Sequence, residues 1–396
     1  MLEKAFTGSP RYWAWIAALL ALIGIGFIFW VKQMIFGLTI TGLSRDVTWG
    51  LYIAQLTFLV GVAASAVMVV LPYYLHDYKG FGKLTILGEF LAIPAVIMCM
   101  AFVFVDMGQP MRILNVFLHP TPSSVMFWDT VVLFGYLVLN IVISRVTFDA
   151  EKKGIAPPKW IKPIIILSIP WAISIHTVTA FLYQGLPARH FWLTAIMAPR
   201  FLASAFAAGP SILILLVILV RKLTRFDPGR APVLKLSEIA TYAMLANCFF
   251  ILMEVFTAFY SGIPGHMDHF RFLFLGHEGL SMFVPWMMRI SVGLAVVALV
   301  LLLVPRFRKD DRTLVLACLA VIASIWIDKG IGLMTGGFVP TTTHRYVDYV
   351  PTFDEWMITL MVYGVGALIL TGLYKIAISV RALVDPWQEE PGRPAA

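Results

Sequence analysis

Apolar runs of about 20 residues recur along this chain, the length an α-helix needs to cross the hydrocarbon core of a bilayer. That repetition leaves few folds open. Lipid offers no hydrogen-bond partner, so a spanning backbone must satisfy itself as a helix or a closed barrel. The period-two alternation of barrel strands is absent, so each run reads as a helix. With 60% hydrophobic and 13% charged residues, the chain has no segment resembling a soluble domain. The expected fold class is an all-α integral membrane protein with about ten transmembrane helices, at 12–31, 47–75, 84–106, 124–146, 163–185, 192–220, 236–261, 279–304, 313–335 and 353–381. Residues 1–396 form one polytopic domain with a loose tail at 385–396. Eight of the ten helices can form two four-helix bundles, leaving two extra helices.

The basic residues set the orientation. Alternate loops carry Lys79 and Lys83; Lys152, Lys153, Lys159 and Lys162; Arg221, Lys222, Arg225 and Arg230; and Arg306, Arg308, Lys309 and Arg312. The opposite loops carry few. Basic loops stay on the cytoplasmic side, so both termini are expected there, in a multi-pass protein of the cytoplasmic (inner) membrane. The net charge of +8 thus reflects topology and the lipid surface, not nucleic-acid binding. The start of the chain does not read as a cleavable signal, because the run from Tyr12 to Trp30 is long and aromatic. Outer stretches from Asp106 to Pro122, Leu186 to Phe191, Ser261 to Glu278 and Gly336 to Asp354 are rich in His, Pro and aromatics. Long ordered loops of this kind suit a docked partner.

Ionisable residues inside the spans point to function. Asp129, His176, Arg200, Glu254, Arg289, Asp328 and Lys329 all lie at depth. A charge at the bilayer centre costs about 2.5–3.5 kcal/mol even on lenient scales, so such groups face a bundle interior and pair there. They are expected around a polar cavity in the outer half, with Arg200 about two turns into its helix. Asp328 and Lys329 point about 100° apart on a helix, so each needs its own partner. Glu89 lies nearer the cytoplasmic end and is placed to connect the cluster with that side, with Asn140 and Asn247 between. For any one of these residues, structural pairing is the competing reading. Gly61 and Ser65, and Gly332 and Gly336, sit four apart and read as close-packing positions.

Trp49, Tyr52 and Gln55 repeat at three-residue spacing near the outer end of the second span. An interfacial aromatic belt explains Trp49 equally well. A tyrosine hydroxyl, an amide and His176 together would suit the carbonyl oxygens of a quinone. Cys99, Cys248 and Cys318 stand alone, and only His176 is at depth. No iron–sulfur cluster or haem is therefore expected in this chain. His266, His269 and His277 match no standard metal-site spacing, so no metal is expected either.

Several motifs resemble a known family. The run Trp49-Gly50-Leu51-Tyr52-Ile53-Ala54-Gln55, then Phe58-Leu59-Val60-Gly61, resembles the start of the core in NrfD/PsrC-type membrane subunits. Asp106-Met107-Gly108-Gln109-Pro110-Met111-Arg112 and Ser124-Val125-Met126-Phe127-Trp128 are similar to its outer loop and next helix entry. Ile175-His176-Thr177-Val178-Thr179, Leu186-Pro187-Ala188-Arg189, Trp192, Ala198-Pro199-Arg200-Phe201 and the segment around Glu254 continue the match. Ten spans rather than eight are similar to its longer branch, and most to the subunit linked with dissimilatory sulfite reduction. The resemblance implies menaquinone as substrate and a ferredoxin-like iron–sulfur subunit on the outer face as electron partner, with further membrane and cytochrome subunits.

The expected quinone-binding residues are then Trp49, Tyr52, Gln55, Arg112, His176 and Arg189. Tyr52, Gln55 and His176 would bond the quinone oxygens, and Arg112 or Arg189 would stabilise an anionic semiquinone or organise the loop. The expected proton path comprises Glu89, Asp129, His176, Glu254, Asp328 and Lys329. Two other classes compete: a secondary transporter with a polar midplane site, and a structural anchor for an iron–sulfur subunit. Pro94, Pro199 and Pro210 lie inside spans, but no paired broken helices are evident.

Overall fold

A computed structural model describes residues 5–384 apart from 77 and 225. The tail at 385–396 and Arg225 of the third basic loop lie outside the described residues. Ten helices are long and apolar enough to span a membrane, and no strand occurs among the described residues. In chain order these are α1 (Pro10–Phe36), α2 (Leu51–Leu75), α3 (Gly82–Asp106), α4 (Val125–Lys152), α5 (Ile161–Gln184), α6 (Met197–Leu223) and α7 (Arg230–Tyr260). A short helix, α8 (Pro264–Leu275), follows outside the spans, then α9 (Phe283–Leu303), α10 (Asp311–Phe338) and α11 (Phe353–Val384).

Local chemistry sets the helix ends. Ser9 caps α1 by accepting from Tyr12 N at 3.3 Å, with Pro10 at the first helical position, where no donor is lost. Asp310 caps α10 by accepting from Thr313 N at 3.1 Å. That bond holds its carboxyl below the usual carboxylate range.

Four starts shift by four to six residues from the sequence reading: α7 begins at Arg230 rather than 236 and α9 at Phe283 rather than 279, and two others lie next to the site. Helix α2 begins at Leu51, not 47, because Leu51 N donates to the Tyr349 hydroxyl at 2.5 Å. A Cβ at Gly50 would sit 2.2 Å from that oxygen. Helix α6 begins at Met197, not 192, after a 3-10 turn at His190–Trp192. Arg200 therefore lies in the first turn rather than two turns in, and Pro199 sits where a missing N–H is harmless.

The packing matches the expected division. Helices α2 to α5 form one bundle and α6, α7, α9 and α10 a second. Helices α1 and α11 pair with each other and lie against α3 and α2. Helix α2 is buried from Leu51 to Val70, because α3, α5, α6, α10 and α11 surround it. The bundles meet where α6 crosses α2 so closely that a Cβ on Gly209 would come within 3.0 Å of Ser65. Two spans are irregular: α2 tightens to a 3-10 turn at Ala64–Ala66, and α10 widens to a π turn at Trp326–Gly332.

The loops gather by character at opposite ends. On the basic face Arg221 pairs with Asp311, and Arg230 donates to Lys309 O. On the loop-rich face Gly42 N donates to Glu355 at 2.8 Å, and Ser281 N donates to Asp348 at 3.1 Å.

Candidate functional site

Helices α4 and α5 turn a polar stripe into the first bundle. Asp129, Tyr136 and Asn140 are buried on α4; Ser168, His176, Thr179 and Tyr183 are buried on α5. The His176 ring is fully enclosed, and its Nδ1 lies 2.9 Å from Ala172 O. A carbonyl oxygen only accepts, so Nδ1 carries the hydrogen and Nε2 of the neutral ring presents a lone pair. Nε2 is buried with no partner among the described residues. One turn further, the Thr179 hydroxyl donates to Asp129 Oδ1 at 2.6 Å. Above it, the Tyr183 and Thr57 hydroxyls are 2.5 Å apart, joining α5 to α2.

An aromatic lid covers this end of the bundle. Trp49 packs on Tyr183, Trp192 and Phe338, with ring centroids 5.7–6.0 Å apart. Trp192 Nε1 donates to Leu333 O at 3.0 Å, and a Cβ on Gly337 would lie 1.9 Å from its ring. Arg189 lies over Phe338 at 4.5 Å and donates to Phe338 O at 3.4 Å. Arg112, expected beside it, is exposed on the 3-10 turn Pro110–Leu114 and takes no part in the buried cluster.

The charged residues divide between the bundles instead of ringing one cavity. In the second bundle, Arg200 NH2 chelates Asp328 at 2.8 and 2.7 Å, and NH1 bonds Glu254. Arg289, expected in this set, is exposed; it donates to Phe274 O at 2.7 and 3.0 Å and lies over Trp286. Asn247 stays with the second bundle on α7, its Oδ1 unpartnered, so it does not link Glu89 to the outer cluster. Lys329 turns the other way, toward the first bundle. Its Nζ lies 3.3 Å from Phe201 O, 4.3 Å from the Phe201 ring centre and 3.6 Å from where a Gly61 Cβ would be.

Tyr52 and Gln55 do not join His176. Trp49 precedes the helix, so the three residues share no helical face. The Tyr52 hydroxyl donates to Gln33 Oε1 on α1 at 2.8 Å. Gln55 Oε1 accepts from Trp326 at 2.7 Å and Tyr363 at 2.6 Å, facing α10 and α11. Because α2 is enclosed on all sides, its polar residues serve different neighbours.

Glu89 stands at the inner end of the first bundle. A cavity of about 620 Å³ opens there between Tyr74, Lys79, Lys83, Thr147 and Glu151. Beyond Glu89 a void of about 10 Å³, bordered by Tyr136, Asn140 and Ser168, has room for roughly one water. No group of three or more His, Cys, Asp or Glu that could hold a metal occurs among the described residues.

Gln33, Thr57, Asp106, Thr179, Tyr183 and Glu355 escaped the sequence reading. The four uncharged ones interrupt apolar runs, a weak signal, and Asp106 and Glu355 lie in the end turns of their helices.

Residues 39–339 match the family described as polysulphide reductase, NrfD. A membrane component of a dimethyl sulfoxide reductase of Halobacterium salinarum is 26% identical, with 93% of this chain and 91% of that protein covered. An Hdr-like menaquinol oxidoreductase integral membrane subunit of Archaeoglobus fulgidus is 21% identical, covering 96% of each. The integral membrane subunit of a menaquinone reductase of Nitratidesulfovibrio vulgaris is 19% identical, covering 92% and 91%.

Proposed function

Because the chain belongs to the NrfD polysulphide reductase family, a multi-pass integral membrane protein similar throughout to membrane subunits of oxidoreductase complexes, we propose that it exchanges electrons between menaquinone and an iron–sulfur partner. The observation that carries this reading is the free Nε2 of His176, enclosed beneath the aromatic lid. Oxidation of a quinol releases two electrons and two protons. A quinol hydroxyl donates to the Nε2 lone pair, which takes the proton as the electrons leave. Asp129, held by Thr179, accepts the second proton, and Lys329, facing α2 at Gly61, compensates negative charge on the headgroup. In the reverse direction the same groups donate.

The roles of the remaining expected residues follow their positions. Trp49 and Arg189 belong to the lid and shape the approach from the loop-rich face. Tyr52 acts through Gln33, and Gln55 through Trp326 and Tyr363, so both support the site from the far side of α2. Arg112 is free to meet a partner. Protons exchange with the basic face along Asn140 and Glu89, through the vestibule. Glu254 and Asp328 hold the Arg200 end of the second bundle and set the position of Lys329.

The partner is a ferredoxin-like iron–sulfur subunit on the loop-rich face, with further membrane and cytochrome subunits. The distribution of basic loops supports that face lying outside and both termini in the cytoplasm. Sulfite-linked anaerobic sulfur metabolism is the setting the sequence motifs favour. The test is oxidation of a menaquinol analogue by the purified complex, comparing wild type with His176→Ala and Tyr52→Phe at verified assembly. Loss of a general base predicts a fall of about 10²–10⁴ for His176→Ala, and a smaller one for Tyr52→Phe. Unchanged turnover in both would move quinone chemistry out of this chain.

A further inference from the structure

Eight buried side-chain polar atoms lack a partner among the described residues, and four belong to the seam where α1 and α11 meet the first bundle. They are Trp30 Nε1 on α1, Gln55 Nε2 on α2, Asp106 Oδ1 on α3 and Thr359 Oγ1 on α11. The four helices are tied together around them. Tyr52 donates to Gln33, and Gln33 Nε2 donates to Val105 O at 2.6 Å. Tyr363 donates to Gln55, and its ring meets Phe102 at 5.7 Å.

Three of the orphaned atoms sit at successive positions toward the ends of their helices on the loop-rich face. Gln55 lies four residues inside α2, roughly 6 Å below its start. Thr359 sits one turn above Tyr363 on α11 and one turn below Glu355. Asp106 is the last residue of α3, on the loop-rich side. Gln55 is fully buried, and Thr359 is 2% exposed. Buried polar groups are almost always bonded, and those without a protein partner hold ordered water. Glu355 itself is satisfied by Gly42 N, Thr352 N and the Tyr349 hydroxyl, at 2.8–2.9 Å, so Asp106 is the acceptor left open at the mouth.

We propose that the α1–α2–α3–α11 seam encloses a water-filled proton conduit from Gln55 past Thr359 to Asp106, opening on the loop-rich face. The Gln55 amide donates to the first water, and the Thr359 hydroxyl both accepts and donates. Asp106 receives the proton that hops along the waters and passes it to solvent. The inner end abuts the π turn, where Trp326 holds Gln55 and Lys329, three residues on, lies against Phe201 and Gly61. The two extra helices thus give the site an outlet opposite the Glu89 vestibule. Its use during turnover rests on the quinone reading above; its water content does not.

Two measurements test it. A high-resolution map of the assembled complex should show ordered water within hydrogen-bond distance of Gln55 Nε2, Thr359 Oγ1 and Asp106 Oδ1; a dry seam overturns the conduit whatever the complex oxidises. In vesicles with a pH dye on the loop-rich side, Asp106→Asn and Thr359→Val should each lower the protons appearing there per menaquinol oxidised at least fivefold, at verified assembly. A wild-type ratio in both overturns the conduit. Absence of menaquinol oxidation in the wild type overturns the quinone reading instead, and the map then decides the seam alone.

Discussion

Asp328 and Lys329 are neighbours in sequence and are bound on opposite flanks of α6. The carboxylate chelates Arg200 on the second-bundle side. The ammonium lies on the carbonyl and ring of Phe201, the next residue of α6, where it faces α2. The π turn carries both. One turn of α10 thus supplies a charge to each bundle, and the acid fixes the direction of the base.

Removing the shared cation should be the costliest change to this arrangement. Arg200→Met leaves Glu254 and Asp328 largely buried without a counter-charge, which costs up to about 3–5 kcal/mol. Thermal unfolding of the complex in detergent should show a large fall in midpoint. Adding Glu254→Leu and Asp328→Leu should recover most of it. A triple variant as unstable as the single one would mean that packing, not charge, sets the cost.

Gly61 gives a way to move Lys329 without replacing it. A Cβ there would lie 3.6 Å from the ammonium, an ordinary contact, whereas a leucine side chain would occupy its place. Gly61→Leu should reduce quinol turnover as strongly as Lys329→Met, while Gly61→Ala should stay within about twofold of wild type. Equal turnover in Gly61→Leu and Gly61→Ala would separate the ammonium from the reaction.

Gly337 sets the lid. A methyl group there would press into the Trp192 indole at 1.9 Å, so the ring must leave its bond to Leu333 O. Gly337→Ala should cost about 1–3 kcal/mol as overpacking and raise KM for a menaquinol analogue. The check is unfolding midpoint and KM together; neither changing would show that the lid yields freely.

The ten spans and their grouping were legible because length and hydropathy are one-dimensional properties. The charges at depth were legible for the same reason: Arg200, Glu254 and Asp328 stand out against apolar neighbours. Direction was harder to read. Tyr52, Gln55 and His176 looked like one site, yet α2 is enclosed on every side and distributes its polar residues to α1, α10 and α11 as well as α5. Glu355 was invisible as a functional residue because an acid in a first helical turn is ordinary. Only the folded loops bring Gly42, Tyr349 and Thr352 to it.

His269 should make the loop-rich face acid-labile. It lies on α8, 3% exposed, with Nδ1 3.0 Å from Val339 O. Burial pushes its pKa down to about 4, while the Val339 and Gly336 backbone pulls it partly back; His190 lowers it further and Asp268 opposes. The unfolded ring titrates near 6.5, so between about 6.5 and 4 the unfolded chain binds a proton that the folded one refuses. Stability from this group is complete above that window and is lost as pH falls through it, by about 3 kcal/mol in all. Unfolding midpoints from pH 7.5 to 4.5 should therefore fall more steeply in wild type than in His269→Gln, whose amide carries no titrating proton. Parallel slopes would mean that α8 detaches, exposing the ring, before His269 is charged.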